Sequence, residues 1–271
     1  MRFGCCGCVV YGRSPDNEDR IITGIEALPV MEKIGFHYIE LSLSDTMRLD
    51  EPGFLSVIQR LENSRLKCEV CHNFIPSNIR LTGHNVDAIR ALEYVREAFQ
   101  RAARLGAEII VFGSAGARNI PFGFSRRTAE KQIVDFLHRV GDMAEEHELM
   151  VVVEPVNRGE SNIINTLSEA LLFCHEVNHP RIKAIYDLYH MINEKEDSNI
   201  IHEAGEDLKH VHISEPKNRG FPVEPKQSYR EHFQRLKEIG YEDRVSIEAY
   251  TKNFEEDASK ALKLLHSLVF R

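Results

Sequence analysis

Short β-rich runs alternate with longer helical patterns from one end of this chain to the other, and that alternation constrains its fold more than any other feature. The strand candidates are Arg2 to Cys8, His37 to Leu41, Lys67 to His72, Glu108 to Phe112, Leu149 to Glu154, Ile182 to Asp187, Leu208 to Ile213 and Val245 to Glu248, eight in all. Between them, apolar residues recur at spacings of three and four. The pattern is clearest in Val86 to Leu105 (Ile89, Leu92, Val95, Phe99, Ala102, Ala103) and in Thr128 to His147 (Ile133, Leu137, Val140, Ala144), each with one stripe for a core. Shorter helices are expected at Gly24 to Ile34, Glu51 to Leu61, Leu167 to Val177, Tyr229 to Ile239 and Glu255 to Leu268, with a weak one at Asn199 to Glu203. Gly35, Gly106 and Gly240 fall where helices would end, and glycine tolerates the left-handed backbone of a C-cap.

Strand followed by helix, eight times in 271 residues, is the arithmetic of a closed parallel barrel, so the expected fold is α/β, a (β/α)8 TIM barrel in one domain over 1–271. A doubly wound open sheet is the second choice, and no GxGxxG opens its first helix. With 42% hydrophobic and 28% charged residues the chain can build a large core. Its 42 acidic against 34 basic side chains, a net charge of −8, oppose attraction to nucleic acid phosphates. No apolar run approaches the roughly 20 residues needed to span a bilayer, and the N-terminus has too short an apolar core for a signal peptide, so no membrane contact and a cytoplasmic location are expected. Six cysteines occur at 5, 6, 8, 68, 71 and 174. Cys68 and Cys71 form a CxxC, but in a regular strand residues three apart face opposite ways, so these thiols are expected to be buried, reduced and not convergent.

Four strands end in groups that bind hard or borderline cations: VVVEP gives Glu154, AIYD gives Asp187, HVHIS gives His212 and VSIEAY gives Glu248. In a parallel barrel all such ends share one rim, and that rim carries the active site. Acids at strand ends also serve as helix caps or solvated edges. Glu154 is set apart because it follows Leu149 to Val153, a run that reads as a fully covered strand, where an unpaired carboxylate would be costly and a bound cation would remove the cost. The argument applies more weakly to Asp187 and Glu248. Three carboxylates and one imidazole suit Mn²⁺, Mg²⁺ or Co²⁺ better than a cysteine-rich zinc site does. His210 and His212 share one strand face; His212 lies nearer the rim and is taken as the ligand, His210 as a supporting or packing residue.

The contexts EPVNRGE, YDLYHM, HVHISEP and SIEAY resemble the xylose isomerase-like barrel superfamily, and within it the sugar phosphate isomerase/epimerase group that includes the ketose 3-epimerases. The likeness is strongest from about Val111 to Tyr250. It implies that Glu154, Asp187, His212 and Glu248 bind the metal, with Mn²⁺ first and Mg²⁺, Co²⁺ or Zn²⁺ as alternatives, and that Glu154 and Glu248 are also the catalytic acid/base pair. It further implies substrate contacts from Glu160 and His190, and from Arg219, which HISEPKNRG places one residue later than the family spacing. Homodimers and homotetramers are common among the resembling proteins.

The N-terminal third departs further from the epimerases, in RFGCCGCVVYG and CHNFIPSN. In VFGSAGARNIPFGF, Gly113 and Gly116 could let backbone N–H groups approach an anion, and Arg118 could pair with a carboxylate or phosphate; a plain glycine turn is the alternative. Glu40 and His72 are further rim candidates for substrate contact. The resulting expectation is a metal-dependent sugar isomerase or epimerase on a small sugar or polyol, abstracting a proton next to a carbonyl through an enediolate. An inosose-type dehydratase on the same barrel is the alternative. A nuclease like endonuclease IV and a sugar-binding barrel without catalysis rank below both.

Overall fold

The computed structural model describes residues 1–7 and 24–269. Eight parallel strands close into a barrel in sequence order: β1 (Arg2–Cys6), β2 (Tyr38–Ser42), β3 (Cys68–His72), β4 (Ile109–Phe112), β5 (Met150–Val153), β6 (Ile182–Asp187), β7 (Leu208–Ile213) and β8 (Arg244–Ile247). Pairing of β1 with both β2 and β8 completes the ring, which replaces the open doubly wound sheet. Each expected strand is present within about two residues of its place. Cys8, and with it the loop RFGCCGCVVYG beyond Gly7, lies outside the described residues.

The helices of the described residues are α1 (Leu28–Ile34), α2 (Leu43–Met47), α3 (Glu51–Glu62), α4 (Ala88–Leu105), α5 (Ala115–Arg118), α6 (Arg126–Glu146), α7 (Leu167–Val177), α8 (Leu188–Glu194), α9 (Ile200–Ala204), α10 (Gln227–Glu238) and α11 (Phe254–Val269). Side-chain caps set several starts: Asp50, Asp87, Ser125 and Thr166 each accept from the backbone N–H three residues on. Gly35 and Gly106 end α1 and α4 with positive φ. The short helices α2, α5 and α8, absent from the sequence expectation, each begin within three residues of a strand end. At one to two turns they are too short to carry a periodic stripe.

Strand alternation sorts side chains into two layers. Tyr38, Val70, Ile109, Val111, Val152 and Ile185 cluster inside the barrel, whereas Ile39, Leu41, Ile110, Phe112, Val151 and Val153 join the layer beneath the helices. Tyr38 fits inside only because residue 4 is glycine, where a Cβ would lie 2.3 Å from its ring. Its hydroxyl is 2.9 Å from Ser246 Oγ across the barrel floor.

One expectation fails at β3. The register steps from Ile39 opposite Cys68 to Glu40 opposite Val70, so Glu69 is an extra residue in the strand. That bulge returns Cys68 and Cys71 to the same side, and their sulfurs lie 3.8 Å apart. Both remain buried and free. Glu69 is released to join Arg2 and Arg244.

Arg118 is also relocated. Its side chain is fully buried, and its guanidinium donates to the carbonyls of Phe112 at 2.9 Å, Glu154 at 2.7 Å and Ile164 at 3.3 Å, so it ties the ends of β4 and β5 together instead of meeting an anion. Burial draws its pKa down to about 10, against the opposing charges of Glu154 and Glu169. Replacing Arg118 with alanine should leave those carbonyls unsatisfied around a cavity and destabilise the fold by about 3 kcal/mol. Urea denaturation measures this, and a loss below about 1 kcal/mol would contradict the tie.

Candidate functional site

Above the apolar floor the barrel interior changes character, because the inward positions at the strand ends are ionisable. Glu154 follows β5 and Glu248 follows β8, each prolonging its ladder by one hydrogen bond, from Glu154 N–H to Phe112 O at 3.2 Å and from Glu248 N–H to Ile213 O at 3.1 Å. Asp187 ends β6 and His212 lies near the end of β7. The four side chains converge, with ligand-capable atoms all within 4.8 Å of one another. The centre of the group is His212 Nδ1, 3.2 Å from Glu154 Oε1, 3.2 Å from Glu248 Oε2 and 3.8 Å from Asp187 Oδ2.

Asp187 divides its work. Oδ1 accepts the N–H of His190 at 3.1 Å and so starts α8, which leaves Oδ2 facing the cluster. Glu154 approaches closely because residue 113 has no side chain: a Cβ there would lie 2.0 Å from its Oε2. Gly116 likewise abuts Ser77, where a Cβ would lie 2.7 Å from that residue's own. These glycines give room to protein side chains.

His190 Nδ1 accepts the backbone N–H of Asn157 at 3.2 Å and lies 2.8 Å from the Asn157 amide nitrogen, so its proton resides on Nε2. That N–H is 3.9 Å from Asp187 Oδ2 and can serve an incoming oxygen. Asn157 also donates to Glu160 Oε1 at 3.0 Å. Arg219 closes the group, with one nitrogen 2.8 Å from Glu248 Oε2, another 3.4 Å from Glu160 Oε2, and its guanidinium over the Tyr189 ring at 5.0 Å. The extra residue before Arg219 is absorbed by a tight loop. Glu215 accepts from the N–H groups of Lys217 and Asn218, its carbonyl accepts from Arg219 N–H at 2.9 Å, and Arg219 adopts a left-handed φ of 53°.

Glu40 is placed differently from the rim role expected of it, at the middle of β2, whereas His72 is the last residue of β3. Glu40 is fully buried, with His210 Nε2 3.1 Å from Oε2, and His212 Nε2 at 3.1 Å and His72 Nδ1 at 3.4 Å from Oε1. Glu40 lies on the Nε2 side of His212, away from the four-residue group. Sequence reasoning also missed Asn157 and Tyr189, and it did not foresee that Gly113 makes room for Glu154. The N of EPVNRGE and the glycine before SAGAR were visible as motif letters, but their jobs depend on neighbours distant in the chain.

Electrostatics follow from the crowding. Burial alone would lower the His212 pKa, yet the charge of Glu40 and hydrogen bonds with Glu154, Glu248 and Glu40 raise it well above the histidine range. Burial would raise Glu248, but Arg219 and His212 hold it well below the usual carboxylate range. Three carboxylates around one imidazole nitrogen, with Arg219 beside only one of them, form an oxygen-rich, anion-excess pocket. The donor set is what a divalent cation requires, so these residues fit one.

Comparisons with known proteins bear on the fold and the family. A 25% identical relative, the L-ribulose 3-epimerase of Methylomonas sp. (strain DH-1), aligns over 230 residues, 83% of this chain and 78% of that one. The ketose 3-epimerase of Arthrobacter globiformis is 33% identical over 132 residues, which are 48% of this chain and 45% of that one. Among solved structures, the D-psicose 3-epimerase from Clostridium cellulolyticum H10, crystallised with D-tagatose, superposes with a TM-score of 0.86 at 18% identity, covering 99% of each chain. The sequence profile of the xylose isomerase-like TIM barrel family matches residues 28–268, and the chain belongs to that family.

Proposed function

We propose that this enzyme is a sugar epimerase or isomerase, dependent on a divalent metal, that moves a proton beside the carbonyl of a small ketose. The observation carrying the proposal is that Glu154 and Glu248, from strands three apart around the ring, flank one point at equal distance, each 3.2 Å from His212 Nδ1. Two carboxylates on opposite sides of a bound carbon are what an epimerisation needs, one to take the proton from one face and one to return a proton to the other. The named activities of the relatives support the same reading.

Glu154, Asp187, His212 and Glu248 would hold the metal, for which we expect Mn²⁺. When bound, the ion supplies a positive centre that draws electron density from the substrate carbonyl and acidifies the neighbouring C–H. The protein's own groups do the rest. The Nε2–H of His190 donates to a substrate oxygen, and Glu160, anchored by Asn157, accepts from a hydroxyl. Arg219 keeps Glu248 ionised and aimed, so the carboxylate is ready to receive a proton. Glu154 is the partner for the opposite face. The apolar floor of the barrel keeps water from below, which favours return of the proton to the substrate's enediolate. We assign the activity to the whole chain 1–271 as one domain. A reducing, cytoplasmic setting is supported by Cys68, Cys71 and Cys174, which are buried thiols outside any disulfide.

In deuterated water, with a panel of ketopentoses and ketohexoses, the metal-loaded enzyme should incorporate solvent deuterium at one carbon. Glu154→Gln and Glu248→Gln should each lower that incorporation by about 10²-fold or more while the circular dichroism spectrum is kept. Incorporation at an unchanged rate in either variant would remove it from the acid/base pair. Gly113→Ala should push the Glu154 carboxylate aside. We expect metal affinity, read by calorimetric titration, and turnover to fall together in that variant; an unaltered titration would show that the carboxylate does not need that space. Dialysis against EDTA should abolish deuterium incorporation and Mn²⁺ should restore it, whereas full activity in metal-free enzyme would end the metal-dependent reading.

A further inference from the structure

Glu40 has no part in the chemistry above, yet it is the most heavily engaged carboxylate inside the barrel. It is fully buried on β2, and its two oxygens are divided between the two histidines of HVH on β7, with Oε2 3.1 Å from His210 Nε2 and Oε1 3.1 Å from His212 Nε2. The rings of these histidines meet edge to face, 4.8 Å apart at 81°. An ionised carboxylate only accepts, so each of these contacts requires a proton on the imidazole nitrogen that faces it. By the same rule Nδ1 of His212 carries a proton toward Glu154 and Glu248 when no cation is bound, and a cation on that side would displace this proton while Glu40 keeps the one on Nε2. With Nε2 carrying the proton, the lone pair available to a cation is on Nδ1, the atom already aimed between Glu154 Oε1 and Glu248 Oε2.

We infer that Glu40 is a positioning residue that locks His212 in the Nε2–H form and presents Nδ1 to a divalent cation, with His210 holding the second oxygen of Glu40 so that the carboxylate cannot rotate away. The inference rests on the metal reading of the four-residue group. It also assigns separate tasks to the two histidines of HVH: the outer one is the ligand, and the inner one anchors the residue that orients the ligand. Carboxylate partners of this kind raise the basicity of a ligating imidazole, and their loss weakens metal affinity by about 10-fold to 100-fold.

Glutamine at position 40 discriminates sharply, because an amide offers one accepting oxygen and one donating nitrogen where the carboxylate offers two acceptors. The two histidines then cannot both keep Nε2–H toward it, and in either orientation of the amide His212 loses the charged acceptor that holds its proton on Nε2 and raises the basicity of Nδ1. The full-length chain, stripped with EDTA, would be titrated with Mn²⁺ by calorimetry as wild type and as Glu40→Gln. Nitrogen-15 spectra of histidine-labelled wild type, loaded with diamagnetic Zn²⁺, would locate the His212 proton.

The expected result is one equivalent of Mn²⁺ in the wild type, about 10-fold to 100-fold weaker binding in Glu40→Gln, and a His212 proton on Nε2. Affinity in Glu40→Gln within about threefold of wild type would overturn the inference and leave the metal site standing. So would a His212 proton on Nδ1, or two equivalents in the wild type of which the variant loses one, since Glu40 would then be a ligand itself. A wild type that binds no Mn²⁺ would overturn the metal reading and this inference together. If Glu40→Gln fails to fold, the wild-type nitrogen-15 spectrum still decides the matter.

Discussion

The structure depends on one unfavourable arrangement: carboxylates held inside a closed barrel. Strand alternation sends every second side chain inward, and within β2 and at the ends of β5, β6 and β8 those inward positions are Glu40, Glu154, Asp187 and Glu248. A carboxylate without compensation in such a place would neutralise itself or unfold its surroundings. Two compensations are built in. Glu40 is satisfied from within by histidines, whereas the other three face one imidazole nitrogen and have Arg219 beside only Glu248. The Glu40 carboxylate is therefore satisfied as it stands, and the proposed cation would complete the upper set. This asymmetry divides the barrel interior into a scaffold and a site.

Much of this was legible in the sequence, and the reasons are physical. A strand covered on both faces must be apolar, so a single acid after Leu149 to Val153 is conspicuous without a structure. Closure of the barrel then brings strand ends distant in sequence to one rim, which is why Glu154, Asp187, His212 and Glu248 could be grouped from topology alone. The helices longer than ten residues were visible because they carry a stripe, and α2, α5 and α8 were not because they are too short for one.

What escaped the sequence depends on local irregularity or on partners remote in the chain. The bulge at Glu69 breaks the two-residue period that kept Cys68 and Cys71 apart, and nothing in CEVC announces it. Arg118 reads as an anion receptor when only its charge is considered. Its burial, set by the carbonyls of Phe112, Glu154 and Ile164, makes it a strut. The task of Glu40 was hidden because its partners lie about 170 residues away, at His210 and His212. Its own neighbours in YIELS give no hint.

The 99% mutual coverage and TM-score of 0.86 at 18% identity with a solved epimerase show how little of the sequence this fold needs to keep. Barrel closure fixes which positions point inward, so the backbone survives exchange of most apolar residues for others of similar volume. Ionisable positions inside do not share that tolerance, because replacing one member leaves its partners buried without compensation. In this chain the constraint runs through His212, the residue shared by both layers. Its Nε2 edge belongs to the lower network around Glu40 and its Nδ1 edge to the upper group that we propose holds a cation. A change below it at Glu40 and a change above it at Glu154 or Glu248 therefore act on opposite edges of one ring, and a 3.1 Å hydrogen bond in the scaffold becomes part of the definition of the site.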